Sequence, residues 1–450
     1  MTTHDAELAE QDAAQQSDHA AVPDVIVIGA GLAGLVSAIS LLQRGRSVTV
    51  LERRSVPGGL CGSTHINGYK FTLACNDFGS SMRRYLSEIG VSLTFNEHAS
   101  VWHVGDEKYV LPPTPETQET LARHKADSDR LAEAVSQPGF DEKFESAAQL
   151  LEATVRDPGY ADFRTLPSYV SGLDPAKHRL DWFLQGSSKN PDYGYDNLIT
   201  PIEGPEQITE ALVERLSQLG GSIHYDTDVH GIRDTDGGKA VTTSRGEFHT
   251  RTVVSGKGRF SSNEPRSGLE LATLHIATRP EAPFPSGVHT VGNLPAGLGR
   301  SMAALDAGRL PDRFGFHIFP CAATEAYRSF NVYFYYPRGV EELDEPTSTA
   351  VRNYITGELD RIIPGFASAI VFQRLVSPTQ FKNEHGLRRV SIQDILPAGT
   401  GKPAIRDAAT GVYHVGNTVG SPAYHACAAV LSGLQAAELV APEAGRARTA

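Results

Sequence analysis

A chain of 450 residues is longer than one hydrophobic core supports, so about two or three domains are expected. With 40% hydrophobic and 21% charged residues the composition is that of a soluble globular protein, and a formal net charge of -12 argues against nucleic acid or an anionic membrane surface as partner. The four cysteines show no CxxC spacing, and no HExxH, Cys/His cluster or GxSxG occurs, so neither a metal site nor serine-hydrolase chemistry has a motif to rest on.

Residues 1–22 are rich in Ala and Gln and carry Asp5, Glu7, Glu10, Asp12 and Asp18 without a Lys or Arg, which reads as a disordered acidic tail. The tail has no basic n-region, so a signal peptide is not expected and a cytoplasmic, thiol-reducing location is. Val25 to Leu42 contains no charge and reaches the length of a candidate membrane span, about 18 residues. Gly29, Gly31 and Gly34 interrupt it, and the reading is instead a buried strand followed by a buried helix. Val25-Ile26-Val27-Ile28 is the apolar run of a strand covered on both faces, and apolar residues at helical spacing continue to Gln43. Gly29 permits the tight turn, Gly31 lets backbone approach a pyrophosphate, and Gly34 lets helix and strand pack closely. The helix N-terminus then supplies unpaired N–H groups to the anion. Ser47 to Leu51 forms the second strand, and Glu52 at its end is placed to accept hydrogen bonds from a ribose diol.

This local motif does not separate NAD from FAD; the segment after it does. Glu52-Arg53-Arg54 leads into Pro57-Gly58-Gly59-Leu60-Cys61-Gly62 and Gly68-Tyr69-Lys70-Phe71. Here the chain resembles the flavin amine oxidase and phytoene desaturase superfamily, with its carotenoid-isomerase branch. Two later stretches carry the same likeness: "TPIEGPEQITEALVERLSQLGGSIHYDTDVHGI", and "GVYHVGNTVGSPAYHACAAVLSGLQAAELV" near the C-terminus. The resemblance implies an α/β fold: a Rossmann-type (GR2-like) FAD-binding domain with an interleaved α+β substrate domain containing a mixed or antiparallel sheet. FAD-binding parts fall at 23–77, 199–265 and 391–441, substrate parts at 78–198 and 266–390, and a flexible tail at 442–450. It implies non-covalent FAD held by Gly29, Ala30, Gly31, Leu32, Ala33, Gly34, Glu52, Arg53, Arg54, Gly58, Gly59, Leu60, Val229 at a strand end, Gly416, Asn417, Ser421, Pro422 and Ala423. Gly256-Lys257-Gly258, after the strand at Val253, begins like another nucleotide-binding turn. It lacks the third glycine and a following acid, and reads as a turn leaving the FAD domain.

Three departures from the superfamily pattern mark where this chain's own chemistry lies. Phe71-Thr72-Leu73-Ala74 stands where relatives read Phe-Asp-x-Gly, and Cys75-Asn76-Asp77 follows. Asn76 is a catalytic candidate, Asp77 a substrate contact or a cap for the helix after it, and Cys75 a buried, inert thiol. Asn417 replaces an acid, keeping an acceptor oxygen without the charge. Ser421-Pro422 reads as N-cap and first residue of a helix whose N-terminus faces the flavin, with Tyr424 and His425 in its first turn where relatives carry Pro-Gly-x-Gly. Tyr424 and His425 are therefore the other catalytic candidates, His425 acting as a neutral donor or acceptor.

Between Phe78 and Tyr195 the pattern is mostly helical, with Thr114-Pro115 opening a helix to about Gln137, Asp141 opening another, and Asp174-Pro175 a third. From Leu271 to Tyr336 it changes to strands, then a helix over 346–363. His275, His317, Tyr333 and Tyr335 are substrate candidates on those strands, against ordinary sheet packing as the alternative for each. No basic amphipathic helix appears, which points to a soluble small-molecule substrate in specialised metabolism. Three readings stay open: hydride removal from a C–C or C–N bond, with O2 or another electron acceptor; a redox-neutral flavin isomerase or cyclase; and a non-enzymatic binding protein like the Rab GDP-dissociation inhibitors. The intact glycines and Glu52 disfavour the last.

Overall fold

The computed structural model describes residues 22–185, 190–192, 196–257, 268–388, 402–420 and 425–442. The expected acidic tail, the end of the chain, Gly258 and the segment Ser421–Tyr424 lie outside them.

The uncharged stretch from Val25 is a strand, Val25–Ile28, and a helix, Leu32–Gln43. That strand is buried along its whole length because it is the middle of a five-stranded parallel sheet. Val27 pairs with Val254 of Thr252–Ser255 on one side and Val50 of Val48–Leu51 on the other. Tyr413–His414 and Ser222–His224 complete the edges. The helix Ala426–Val440 lies on the first helix so closely that a Cβ on Gly433 would stand 2.6 Å from the Ala33 carbonyl oxygen. The N- and C-terminal parts of the chain are thereby packed into one layer on the sheet.

A nine-stranded mixed sheet forms the second body. In it Leu271–Thr278, Arg328–Tyr335, Phe316–Ala323 and Val288–Leu294 run antiparallel in that spatial order. Phe95–Val104 then joins in parallel beside Val288–Leu294. The helix Glu345–Ile362, capped by Asp344, covers one face through Val351, Ile355 and Leu359 against Phe316, Phe330 and Phe334. The hairpin Ser63–Ile66/Tyr69–Thr72 spans from the cofactor layer to this sheet, where Asn331 Nδ2 donates to the Thr72 carbonyl at 2.7 Å.

Five expectations are refined or corrected. The segment after Phe78 is mostly helical, as expected, but it also holds two strands, Phe95–Val104 and Glu107–Leu111, whose polar residues hid the alternation. The helix from Thr114 is capped there as expected but stops at Arg123 and resumes at Lys125. His124 breaks it, its ring stacked on Tyr160 at 4.9 Å and bonded to Glu107 at 3.2 Å. Asp141 sits in a single turn, and the helix proper begins at Ala147 under a Ser146 cap; Asp174 caps a turn through the Ala176 N–H, and the helix there begins only at Leu180. Asp77 caps nothing: the next helix, Met82–Glu88, begins after Ser81.

Candidate cofactor cleft and its neighbours

Glycine chemistry builds the cleft at the ends of the parallel strands. Gly29 turns the chain with φ +96° and donates its N–H to the Leu51 carbonyl at 2.8 Å. Gly34 is forced, since a Cβ there would lie 2.0 Å from the Gly29 oxygen. Gly31, by contrast, has nothing within 4 Å of where its Cβ would be, so its surface is open to a ligand. The second glycine loop is tied to the first: the Gly58 N–H donates to the Ala30 carbonyl at 2.8 Å.

Glu52 is buried and holds both loops' neighbours at once. Its Oε2 accepts the Ala30 N–H at 2.7 Å and its Oε1 the Arg54 N–H at 2.9 Å. Each oxygen keeps a further lone pair for a ribose hydroxyl. Arg54 reaches back to the Gly59 carbonyl at 3.1 Å, and Arg53 donates to the Gly386 carbonyl.

These residues line one open cleft of about 1180 Å³, counting the solvent space at its mouth. Of the residues expected to hold cofactor, Gly29, Gly31, Leu32, Ala33, Gly34, Glu52, Arg53, Arg54, Gly58, Gly59, Leu60, Val229, Gly416 and Asn417 line it. Ala30 lies fully buried behind the wall, where it bonds Glu52 and Gly58. Val229 opens the strand Val229–Thr235 instead of closing the one before it. Ser421, Pro422, Ala423 and Tyr424 are outside the described residues. His425 lines the cleft as the extended residue before the helix Ala426–Val440.

Sequence reasoning missed Asp228, Lys257 and Arg388 on the cleft wall. Lys257 lies in the incomplete glycine turn after Val253; its Nζ donates to the Val229 carbonyl and faces Asp228 at 3.8 Å. Burial, then the charges of Arg388 and Arg53, lower its pKa, while Asp228 opposes them. One buried oxygen of Asp228 has no hydrogen-bond donor.

The substrate candidates divide into two groups. His317 and Tyr335 are packing residues of the mixed sheet: the Tyr169 hydroxyl meets His317 Nδ1 at 2.9 Å, and the Tyr335 hydroxyl donates to the Val170 carbonyl at 3.1 Å. Tyr333 and His275 belong to a buried polar chain that starts at Asn76. Asn76 Nδ2 donates to the Tyr333 hydroxyl at 3.1 Å, Asn331 Nδ2 donates to the same hydroxyl at 2.9 Å, and Asn331 Oδ1 meets His275 Nδ1 at 2.8 Å. Asn76 Oδ1 and His275 Nε2 are both buried without a partner.

Asp77 follows Asn76 and is half-buried, with the Thr290 hydroxyl donating to it at 3.4 Å. Burial pushes its pKa up to about 6. The groups around it are neutral. His289, on the strand beside, bonds the Asn76 carbonyl at 2.8 Å, and its pKa falls to about 3 through burial and the neighbouring His98. Asp77 also acts electrostatically on Cys427, two residues beyond His425. His425 is held neutral, its pKa lowered well below the usual histidine range by burial and by the charge of Lys402. Neutrality was expected from the helix N-terminus; the causes here are burial and Lys402.

The model of the FAD-dependent oxidoreductase family DAO matches residues 24–431. The chain belongs to that family. A DAO-family oxidoreductase uses FAD, and the cleft fits it: Gly31 leaves an open face to a ligand, and Glu52 keeps lone pairs for hydroxyl donors. Among curated relatives, chloroplastic prolycopene isomerase of Arabidopsis thaliana is 24% identical over 94% of this chain and 83% of its own length. D-amino acid dehydrogenase of Vibrio atlanticus is 25% identical over 57% of this chain and 65% of its own. Among solved structures, an oxidoreductase from Methanosarcina mazei superposes with TM-score 0.64 at 16% identity, covering 92% of this chain and 99% of that one. Putrescine oxidase bound to putrescine gives TM-score 0.62 at 16% identity, over 93% and 98%. These structural likenesses concern the fold, which is the superfamily's α/β architecture. The chain is an enzyme of the FAD-dependent oxidoreductase class, and the non-enzymatic reading falls away. Among the described residues no helix is long and apolar enough to cross a membrane.

Proposed function

We propose that the enzyme removes a hydride from a small amine, oxidising a C–N bond. One observation carries the reading: Asp77 and Asn76, beside the cleft-lining Cys75, present a carboxylate and an amide oxygen with almost no donors to answer them. A carboxylate with one long hydrogen bond and an amide oxygen with none complement an ammonium group, which brings only donors and a positive charge. Bound FAD supplies the two-electron acceptor. Asp77 binds the ammonium and, with its pKa lifted toward neutrality, takes the proton that must leave before a C–H bond next to nitrogen gives up hydride. Asn76 orients the nitrogen through Oδ1 while Tyr333 and the Ala74 carbonyl hold its Nδ2. His425, neutral at the head of the C-terminal helix, is a second polar contact for the substrate. The long alignment with a prolycopene isomerase favours an alkene as the alternative substrate class.

Asp77→Asn tests the amine reading. It should raise KM for amines by about ten- to a hundredfold, the worth of one charge-assisted hydrogen bond, and leave the flavin content unchanged. An unchanged KM would remove Asp77 from the substrate site. The same variant has a stability signature. Since folding raises the Asp77 pKa from 3.8 to about 6, the native state binds the proton more tightly, and that advantage is lost as pH rises through about 6. Relative to the wild type, Asp77→Asn should therefore gain on the order of 2–3 kcal/mol in urea unfolding between about pH 4 and pH 7 and no more above it.

His425→Gly should keep the flavin-to-protein ratio and lower kcat about 10²-fold, the usual range for loss of a polar group that handles substrate. Loss of flavin, or full turnover, would show that His425 has another role.

A further inference from the structure

The hairpin Ser63–Ile66/Tyr69–Thr72 does more than bridge the two sheets: it brings back together two cysteines that are far apart in sequence. Ser63 pairs with Thr72, the Leu73 N–H donates to the Gly62 carbonyl at 2.8 Å, and the Cys75 N–H donates to the Leu60 carbonyl at 3.3 Å. Cys61 and Cys75 therefore sit on adjacent antiparallel segments, close enough for the Cys75 thiol to act on that of Cys61. Both line the FAD cleft, and both are free thiols. Cys61 is 1% exposed, its loop fixed by the Thr209 hydroxyl, which donates to the Cys61 carbonyl at 2.7 Å. Its S–H donates to the Pro205 carbonyl at 3.2 Å. The neighbouring Cys75, then burial, raises the Cys61 pKa, and Cys75 is the more exposed of the two, not the buried thiol expected from the sequence. Two thiols packed merely as small hydrophobes would not need to share a wall with a redox cofactor.

We propose that Cys61 and Cys75 are a dithiol–disulfide couple that exchanges electrons with the FAD in the cleft. Oxidation breaks two S–H bonds and forms one S–S bond, releasing two electrons and two protons. The oxidant is the oxidised flavin, which takes both electrons with one proton while the other proton leaves to solvent; the reverse transfer restores the thiols. Closing the bond staples the Gly58–Cys61 cofactor loop to the segment that carries Asn76 and Asp77. The proposal is independent of which substrate the enzyme takes.

The test uses the full-length protein. Wild-type apoprotein is treated with diamide, its remaining thiols are alkylated, and it is mapped by mass spectrometry without reduction. A Cys61–Cys75 cross-linked peptide is expected, with Cys321 and Cys427 alkylated. Diamide-treated holoenzyme is then titrated anaerobically with dithionite: it should consume twice the reductant per flavin that Cys75→Ser consumes. Cys61 and Cys75 recovered separately alkylated would overturn the couple. A cross-link without the extra reductant would overturn its exchange with flavin. If Cys75→Ser does not fold, wild type without diamide treatment serves as the reference titration.

Discussion

Gly34→Ala is expected to produce a protein that folds poorly and carries no flavin. The added methyl would lie 2.0 Å from the Gly29 carbonyl oxygen and 3.2 Å from its carbon, both backbone atoms in the turn that forms the cleft floor. Neither side can give without lifting the first helix from the first strand, and overpacking of this kind costs about 3 kcal/mol or more. Gly357→Ala is the matched control. It lies exposed inside the helix Glu345–Ile362 with nothing within 4 Å of its added Cβ, so it should gain about 0.5–1 kcal/mol. Urea unfolding midpoints and the flavin absorbance of the purified proteins give both readings. A flavin-replete Gly34→Ala protein with wild-type stability would contradict the packing described for this turn.

Glu52→Ala is expected to cost the enzyme its cofactor by a different route. Its carboxylate takes the Ala30 and Arg54 N–H groups, so truncation strands two donors in the cleft wall and removes the acceptors for a ribose diol. Charge-assisted hydrogen bonds are worth about 1.5–3 kcal/mol each, which places the loss in FAD affinity at roughly 10²-fold or more. Glu52→Gln keeps one acceptor oxygen but turns an NH2 toward a backbone N–H, so it should fall between the two. Fluorescence titration of apoprotein with FAD measures the series. Equal affinities across wild type, Gln and Ala would mean that Glu52 only braces the turn.

The cofactor cleft was legible where each residue does a local job. Gly29, Gly31, Gly34 and Glu52 stand in a fixed order along one strand–helix–strand unit, and each requirement (a positive φ, an open face, a close approach, an acceptor) acts on a single residue type. Lys257, Asp228 and Arg388 were not legible, because they meet only when three strand ends and a helix terminus converge on the cleft mouth. The same holds for Cys61 and Cys75: no spacing rule joins them, and the hairpin between them does. Phe95–Val104 was missed because Asn96, Glu97 and His98 face outward or toward polar partners at its start, and the buried Val101 and Trp102 come too late to set a period. At the head of the C-terminal helix His425 is half-buried and extended, and the expected cap at Ser421-Pro422 lies outside the described residues. On the substrate side the alternation of the strands was readable, but the facing of their side chains was not. Of four candidates there, Tyr333 and His275 join the chain from Asn76, while His317 and Tyr335 turn to Tyr169 and the Val170 carbonyl.

The proposed chemistry meets its most direct test in anaerobic mixing of the FAD-loaded enzyme with small primary and secondary amines, each paired with its N-acetyl derivative on the same carbon skeleton. The flavin absorbance is followed before any acceptor is admitted. An ammonium held by Asp77 and Asn76 predicts that a subset of the amines bleaches the flavin while none of their acetylated partners does. Bleaching by conjugated alkenes alone, or equal bleaching by both members of each pair, would contradict it.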